Sequence, residues 1–245
     1  MARGLASAPR RAWAVIGAAV VAAVVLTFVV LNAPGLPASG PDAAATGTTR
    51  PAPVRILVIG DSYTAGGREG GAGTAGWAHL VARDLAEAGR RVTLEVAAAG
   101  GSGYVRTGPR HTTFVQLAQR TRSQRDLVVF FGSRNDIAAA PEVQAAAEAA
   151  FATVRAASPG AQVLVVGPPW VDAHPPDYIV ADRDAVAAAA RAAGVPFVDP
   201  LAEGWFTGRA GTFIGKGSIH PTDAGHRYLA DLIRPRIESL LSPTL

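Results

Sequence analysis

The chain has 245 residues, with no cysteine, five histidines and a formal charge of +4. The lack of cysteine excludes disulfides and thiolate metal sites, and no His-Glu-x-x-His pattern supports a metal centre. Arg3, Arg10 and Arg11 precede the first apolar stretch, and the rest of the chain carries no basic run, so the composition argues against nucleic-acid binding.

The N-terminal region reads as a short basic segment, residues 1–12, followed by an uncharged apolar segment, residues 13–31. A stretch of this length can span a bilayer as a helix, and Arg10 and Arg11 in front of it predict a cytoplasmic N-terminus. Two interpretations stay open: a retained signal anchor, or a cleaved signal peptide, whose apolar core is usually shorter. Both predict that the folded part lies outside the cytoplasmic membrane, either tethered as a single-pass protein or secreted.

Residues 32–53 are rich in Pro, Ala, Gly and Thr without apolar periodicity, which predicts a flexible linker before a globular domain at 54–245. In that domain apolar runs typical of buried strands alternate with Ala-rich stretches that favour helix. The predicted strands are residues 54–60, 92–98, 127–132, 162–167 and 195–198. The predicted helices are residues 77–89, 112–122, 141–157, 180–193 and 222–241. This alternation predicts an α/β domain with three layers around a parallel sheet.

Polar residues and glycines collect where the predicted strands end. Gly60-Asp61-Ser62 follows the first strand, Gly100-Gly101-Ser102-Gly103 the second, and Gly132-Ser133-Arg134-Asn135-Asp136 the third. His220 lies shortly before the last helix. Because ligands of open α/β sheets bind at the carboxyl ends of the strands, we expect a nucleophile, oxyanion donors and a base to meet there, as acyl transfer requires.

With these motifs in this order, residues 54–235 resemble the SGNH hydrolases, also called GDSL-type esterases and lipases. The resemblance implies a five-stranded parallel, flavodoxin-like sheet. It implies that Ser62 is the nucleophile and His220 the base. The implied oxyanion donors are the amides of Ser62 and Gly101, with Gly100 one register away, and the side chain of Asn135.

Two positions depart from the family pattern. Ser133 replaces the glycine of the Gly-x-Asn-Asp block, and Gly217 stands where the aspartate of Asp-x-x-His belongs. Loss of the orienting acid in a serine triad can cost about 10⁴ in turnover. A backbone carbonyl could hold the imidazole instead, giving a Ser-His dyad. A substitute carboxylate could also do so, and the candidates are Asp199, Asp223 and Asp172.

The sequence therefore predicts an extracytoplasmic serine ester hydrolase that needs no cofactor or metal and acts on a small-molecule, lipid or glycan ester. An O-acyltransferase using the same site and a catalytically weakened glycan-binding protein are the alternatives. Residues 168–178, which carry four prolines and Trp170, form the best candidate for a specificity loop. Residues 71–76 fit Gly-x-Gly-x-x-Gly but begin eleven residues after Gly60, too far from the strand for a dinucleotide site. The sequence predicts no oligomeric state.

Overall fold

The computed structural model describes residues 51–121, 123–216 and 219–241. The predicted apolar span at 13–31 and the linker at 32–53 lie outside this part, except for residues 51–53. In the described part, no helix is both long enough and apolar enough to cross a membrane.

Five parallel strands form one sheet in the order β2-β1-β3-β4-β5, the flavodoxin-like order. They are β1 (Val54–Gly60), β2 (Val92–Ala98), β3 (Leu127–Phe131), β4 (Gln162–Val166) and β5 (Phe197–Val198). Gly60 pairs with Ala98 on one side and with Phe131 on the other, so the first three strands end at the same level. This register brings the three polar strand exits together.

Seven α-helices are described besides a short 3₁₀ helix at Gly73–Ala75. They are α1 (Ser62–Ala65), α2 (Trp77–Glu87), α3 (Phe114–Arg120), α4 (Ala140–Ala157), α5 (Asp177–Ala193), α6 (Ala210–Phe213) and α7 (Asp223–Leu241). The five longer helices match the predicted ones closely. The two four-residue helices and the 3₁₀ turn were not predicted, because so short a segment carries no apolar periodicity.

The sheet separates two apolar cores, because successive residues of a strand point to opposite faces. Leu57 and Ile59 of β1 join the core under α3, α4 and α5, whereas Ile56 and Val58 join the core under α2 and α7. All five residues of β3 are buried, as expected for a central strand of a three-layer fold. The predicted three-layer architecture is thus confirmed.

The fifth strand is shorter than predicted, and the chain around Pro196 explains the difference. Val195 donates its N–H to the carbonyl of Ala190, which closes the C-terminal end of α5 behind the left-handed Gly194. Pro196 has no N–H to give to a neighbouring strand. Regular pairing therefore begins only at Phe197.

Candidate active site

Ser62 lies directly beyond the carboxyl end of β1, the second strand of the sheet, where α1 begins. Asp61 caps this short helix by accepting a hydrogen bond from the Tyr63 N–H at 2.9 Å. A side chain at Gly60 is excluded, since an added Cβ would lie 2.3 Å from the Thr64 hydroxyl oxygen. The tight strand-to-helix turn thus holds Ser62 at the edge of the sheet.

His220 reaches the same place from the other end of the domain. Its Nε2 lies 3.0 Å from Ser62 Oγ, although the two residues are 158 positions apart in sequence. The segment that carries it lies between α6 and α7, where Ile214 and Pro221 form an antiparallel bridge and the Gly215 N–H donates to the His220 carbonyl at 2.9 Å. The arrangement allows the imidazole to take the serine proton.

The environment of His220 keeps its imidazole neutral at pH 7. Burial lowers the pKa below its ordinary 6.5, the charge of Glu69 raises it, and the charge of Arg134 lowers it further. The net effect is a lowered pKa, so the ring is available as a base. Glu69 packs beside this segment, since a Cβ at Gly215 would lie 2.5 Å from its Cγ.

Asn135 follows β3 and directs its amide toward the serine turn. Its Nδ2 donates to the Ser102 carbonyl at 2.8 Å and lies 3.3 Å from Asp61 Oδ2. The shorter bond fixes the amide orientation, since a flipped oxygen would face two acceptors. Both hydrogens of this amide thus have acceptors within the protein.

Of the two candidate glycines after β2, Gly100 faces the serine more directly. A Cβ built on Gly100 would lie 3.7 Å from the Ser62 Cβ, whereas one on Gly101 would meet Pro109 at 3.1 Å. Gly101 adopts a positive φ of 76°, which turns the chain behind Gly100. Gly100 thus lies beside Ser62.

Asp136 braces the loop that carries these glycines. Its buried carboxylate accepts three backbone hydrogen bonds, from Tyr104 at 2.9 Å and from Val105 and Arg106 at 2.8 Å. Asp61 is also fully buried, and this burial raises its pKa to about 6 although the Tyr63 N–H and the Arg134 charge act against the rise. Both aspartates accept hydrogen bonds from backbone N–H groups and thereby brace their loops.

A family model described as the GDSL-like lipase/acylhydrolase family matches residues 58–228. A GDSL lipase of Mycobacterium tuberculosis is 40% identical over 226 residues, which cover 90% of this chain and 96% of the relative. The chain belongs to the GDSL-like lipase/acylhydrolase family. It is therefore a hydrolase that acts on carboxylic ester bonds, and the resemblance to the SGNH hydrolases is confirmed.

Solved structures support the fold of this GDSL-family hydrolase. A lipase/acylhydrolase from Enterococcus faecalis superposes with a TM-score of 0.60 at 20% identity, over 78% of this chain and 99% of that chain. A family two carbohydrate esterase from Clostridium thermocellum superposes with a TM-score of 0.61 at 20% identity, over 78% of this chain and 66% of that chain. Likeness at this level of identity concerns the fold.

In the family triad an aspartate orients the imidazole, but this hydrolase has Gly217 at that position. Residues 217 and 218 lie outside the described part. The three substitute candidates are engaged elsewhere. Asp199 binds Arg183 at 2.8 Å, Asp223 accepts from the Gly71 N–H at 2.8 Å, and Asp172 accepts from the His174 N–H at 2.7 Å. Within the described part of the chain, the charge of Glu69 raises the pKa of His220 and the charge of Arg134 lowers it.

The glycine-rich run at 71–76 packs against α7. The Gly71 Cα rests on the buried ring of His226, which accepts the Trp77 N–H on its Nδ1 at 3.3 Å. His226 is thus a packing residue. Among the residues that the structure describes, no group of three or more histidines and carboxylates could hold a metal ion.

Sequence reasoning missed three residues of the site: Tyr63, Glu69 and Arg134. Arg134 occupies the variable position of the Gly-x-Asn-Asp block, and Tyr63 follows the serine directly. Arg134 and Tyr63 lie within the motifs, but the motifs do not specify a residue type at these two positions. Only their contacts reveal what they do.

Proposed function

We propose that this hydrolase cleaves its ester through an acyl-enzyme on Ser62. His220 Nε2 takes the hydroxyl proton while Ser62 Oγ forms a bond to the ester carbonyl carbon, whose oxygen becomes the oxyanion. The oxyanion then collapses and the bond to the leaving alcohol breaks, with the proton passing from His220 to the alkoxide. Water repeats the two steps and releases the acid. The single observation that carries this proposal is the 3.0 Å contact between Ser62 Oγ and His220 Nε2.

The proposed oxyanion hole consists of the Ser62 amide, a glycine amide after β2 and the Asn135 side chain. The sequence favours Gly101 for this glycine, and the position of Gly100 beside Ser62 makes Gly100 the second candidate. Asn135 is held by Ser102 and borders Asp61, so its amide is oriented before substrate arrives. Preorganised donors of this kind contribute about 10²–10³ in turnover each.

The substrate we propose is an ester with an apolar part. Ile137 and Ile219 expose 73% and 44% of their surface, and they adjoin the site next to Asp136 and His220. Exposed isoleucines beside the reacting groups would contact an acyl chain. A glycan ester is the second candidate, since the Clostridium thermocellum carbohydrate esterase with the same fold has been solved in complex with cellohexaose.

The proposed specificity loop at 168–178 walls a cavity of about 140 Å³ together with residues that follow β5. Trp170 and Pro175 from the loop face Leu201 and Trp205 across it. Trp170 also stacks on Arg134, which connects this cavity to the site. We propose that the cavity selects one end of the ester.

The proposed location is the outer side of the cytoplasmic membrane, either anchored through residues 13–31 or released after cleavage. The support is the uncharged apolar segment with Arg10 and Arg11 before it. Fractionation of cells that express the full chain, followed by N-terminal sequencing, separates the two forms. A full-length product in the cytosolic fraction contradicts both.

Labelling with a fluorophosphonate probe tests the mechanism in the full chain. We expect the wild type to be labelled, and Ser62→Ala and His220→Ala to lose labelling and about 10⁶ in ester turnover. Hydrolysis of p-nitrophenyl acetate, butyrate and octanoate and of an acetylated glycan identifies the substrate class. An unlabelled wild type supports the glycan-binding alternative, and acyl transfer to an added alcohol in preference to water supports the acyltransferase.

A further inference from the structure

Arg134 is a buried cation at the centre of the site, with only 5% of its surface exposed. Its Nη1 donates to the Tyr63 hydroxyl at 2.9 Å and to the Ile219 carbonyl at 3.0 Å. The Tyr63 hydroxyl donates to the same carbonyl. Three groups from distant parts of the chain thus form a closed triangle of hydrogen bonds.

Both partners of Arg134 adjoin a reacting residue. Tyr63 directly follows Ser62, and Ile219 directly precedes His220. The triangle therefore joins the backbone of the serine turn to the backbone of the histidine segment. A change in its geometry shifts the imidazole relative to the hydroxyl.

The aromatic surroundings hold the guanidinium in one orientation. Its central carbon lies 4.4 Å from the Trp170 ring centroid and 5.4 Å from that of Tyr63. Arginine stacks on aromatic faces in this way and gains electrostatic attraction to the ring. Since Trp170 belongs to the loop at 168–178, Arg134 also connects the site to the proposed specificity loop.

Two described contacts hold the backbone on either side of the His220 imidazole. Position 217, where the family pattern has aspartate, is glycine in this chain. On the C-terminal side of the imidazole, the Gly215 N–H holds the His220 carbonyl at 2.9 Å. On the N-terminal side, the Ile219 carbonyl is held by Arg134 and Tyr63.

We propose that Arg134 is a positioning residue that, through Tyr63 and the Ile219 carbonyl, holds His220 in line with the Ser62 hydroxyl. The inference rests on the proposed acyl-enzyme mechanism and names what aligns its base. Arg134 touches neither reacting atom in this role. It acts through the backbone that carries the imidazole.

The charge of Arg134 affects the pH dependence of kcat/KM, which a purely packing role of this side chain would leave unchanged. This charge lowers the pKa of His220, burial lowers it more, and the charge of Glu69 opposes both. Removing the cation raises the pKa of His220, so the acidic limb of kcat/KM moves to higher pH. Tyr63 carries no charge at neutral pH because burial raises its pKa to about 12, so removing its hydroxyl leaves the limb nearly in place.

The test compares Arg134→Met and Tyr63→Phe with the wild type in ester hydrolysis across pH 5–9, alongside Arg209→Met as a control. Arg209 also stacks on a tyrosine, Tyr228, at 5.7 Å, and it belongs to the turn before α6.

We expect Arg134→Met to lower kcat about 100-fold with KM nearly unchanged, since a small misplacement of reacting groups has effects of this size. We expect Tyr63→Phe to lower kcat about tenfold, because it removes the hydrogen bond that the hydroxyl donates to the Ile219 carbonyl and the one that it accepts from Arg134. Arg209→Met should stay within twofold.

The acidic limb should move to higher pH in Arg134→Met alone. Values of kcat within twofold of the wild type in Tyr63→Phe and Arg134→Met overturn the inference, as does a rise in KM with kcat unchanged, which would make Arg134 a substrate-binding residue. If Arg134→Met does not fold, Tyr63→Phe decides by itself. Ser62→Ala tells the two proposals apart: an active Ser62→Ala removes the mechanism, whereas an inactive one with normal Arg134→Met removes only the positioning role.

Discussion

The two halves of the site are held in very different ways. Ser62 stands on a turn between the buried strand β1 and α1, and Asp61 beneath it is fully buried. The described residues around His220 belong to no long helix or strand, and they are held by the Ile214–Pro221 bridge, by backbone hydrogen bonds and by the Arg134 and Tyr63 bonds to the Ile219 carbonyl. The neighbours of the nucleophile, Asp61 and Tyr63, are therefore buried in the core, whereas the base lies on a segment that is attached to the core.

Because of this difference, changes on the two sides of the site should affect different quantities, the free energy of unfolding on one side and turnover on the other. A change at the serine side disturbs the core and should appear first in the free energy of unfolding. A change at the histidine side costs few buried contacts and should appear first in kcat or in its pH dependence. The four predictions below test this division, from the largest expected effect to the smallest.

Asp136→Ala should cause the largest loss of stability on the serine side. It removes a buried carboxylate that accepts three backbone N–H groups, and unsatisfied buried donors are costly, so we expect a loss of about 3 kcal/mol. Denaturant unfolding measures the loss. Asp231→Ala is the control, because its pair with Arg227 is 58% exposed on the Asp231 side and should contribute under about 0.5 kcal/mol. Equal losses in the two variants would contradict the division.

His226→Gln should change the pH dependence of stability at the start of α7, close behind the histidine segment. Burial lowers the pKa of His226 from 6.5 to about 4, so the unfolded chain binds a proton between these values that the folded chain does not. The free energy of unfolding therefore rises with pH across this window, by about 3 kcal/mol.

Subtraction of the His226→Gln unfolding curve from that of the wild type isolates this contribution. The subtraction matters because burial raises the pKa of Asp61 to about 6 and of Asp182 to about 8, and raised carboxyl values act in the opposite direction. Glutamine can still accept the Trp77 N–H. A difference that is flat from pH 4 to 6.5 would show that His226 keeps an ordinary pKa.

Gly217→Asp should raise kcat, because it restores the carboxylate that orients the histidine in the family pattern. We expect kcat to rise at least about tenfold, since loss of the orienting acid can cost about 10⁴. Steady-state ester hydrolysis measures the gain, with Gly217→Asn as the uncharged control. No gain in a folded Gly217→Asp variant would mean that the imidazole is already oriented.

Glu69→Gln should produce the smallest effect, a displacement of the acidic limb of kcat/KM. The charge of Glu69 raises the pKa of His220, so its removal lowers that pKa and the limb moves to lower pH, opposite to Arg134→Met. Glu87→Gln on α2 is the control, because its carboxylate pairs with Arg83 on an exposed face. A limb that moves to higher pH in Glu69→Gln would contradict the assigned direction.

The sequence by itself determined the layers of the fold and the residue types of the site. Apolar runs such as Leu127–Phe131 and Ala-rich helical stretches are local patterns, and their alternation restricts a chain to a parallel sheet covered on both faces. Short motifs then placed Ser62 and Asn135 at strand ends and His220 shortly before the last helix. Local propensity and periodicity carry this information because they act over a few neighbouring residues.

The tertiary structure alone decided which groups meet. Arg134, Tyr63 and Ile219 form their triangle only because β3, α1 and the segment before α7 end at one edge of the sheet. The register that sets Gly100 beside Ser62 and the approach of Glu69 to Gly215 depend on loop paths with no repeating pattern. Contacts between residues up to 158 positions apart arise from packing of the whole domain, which no local stretch of sequence encodes.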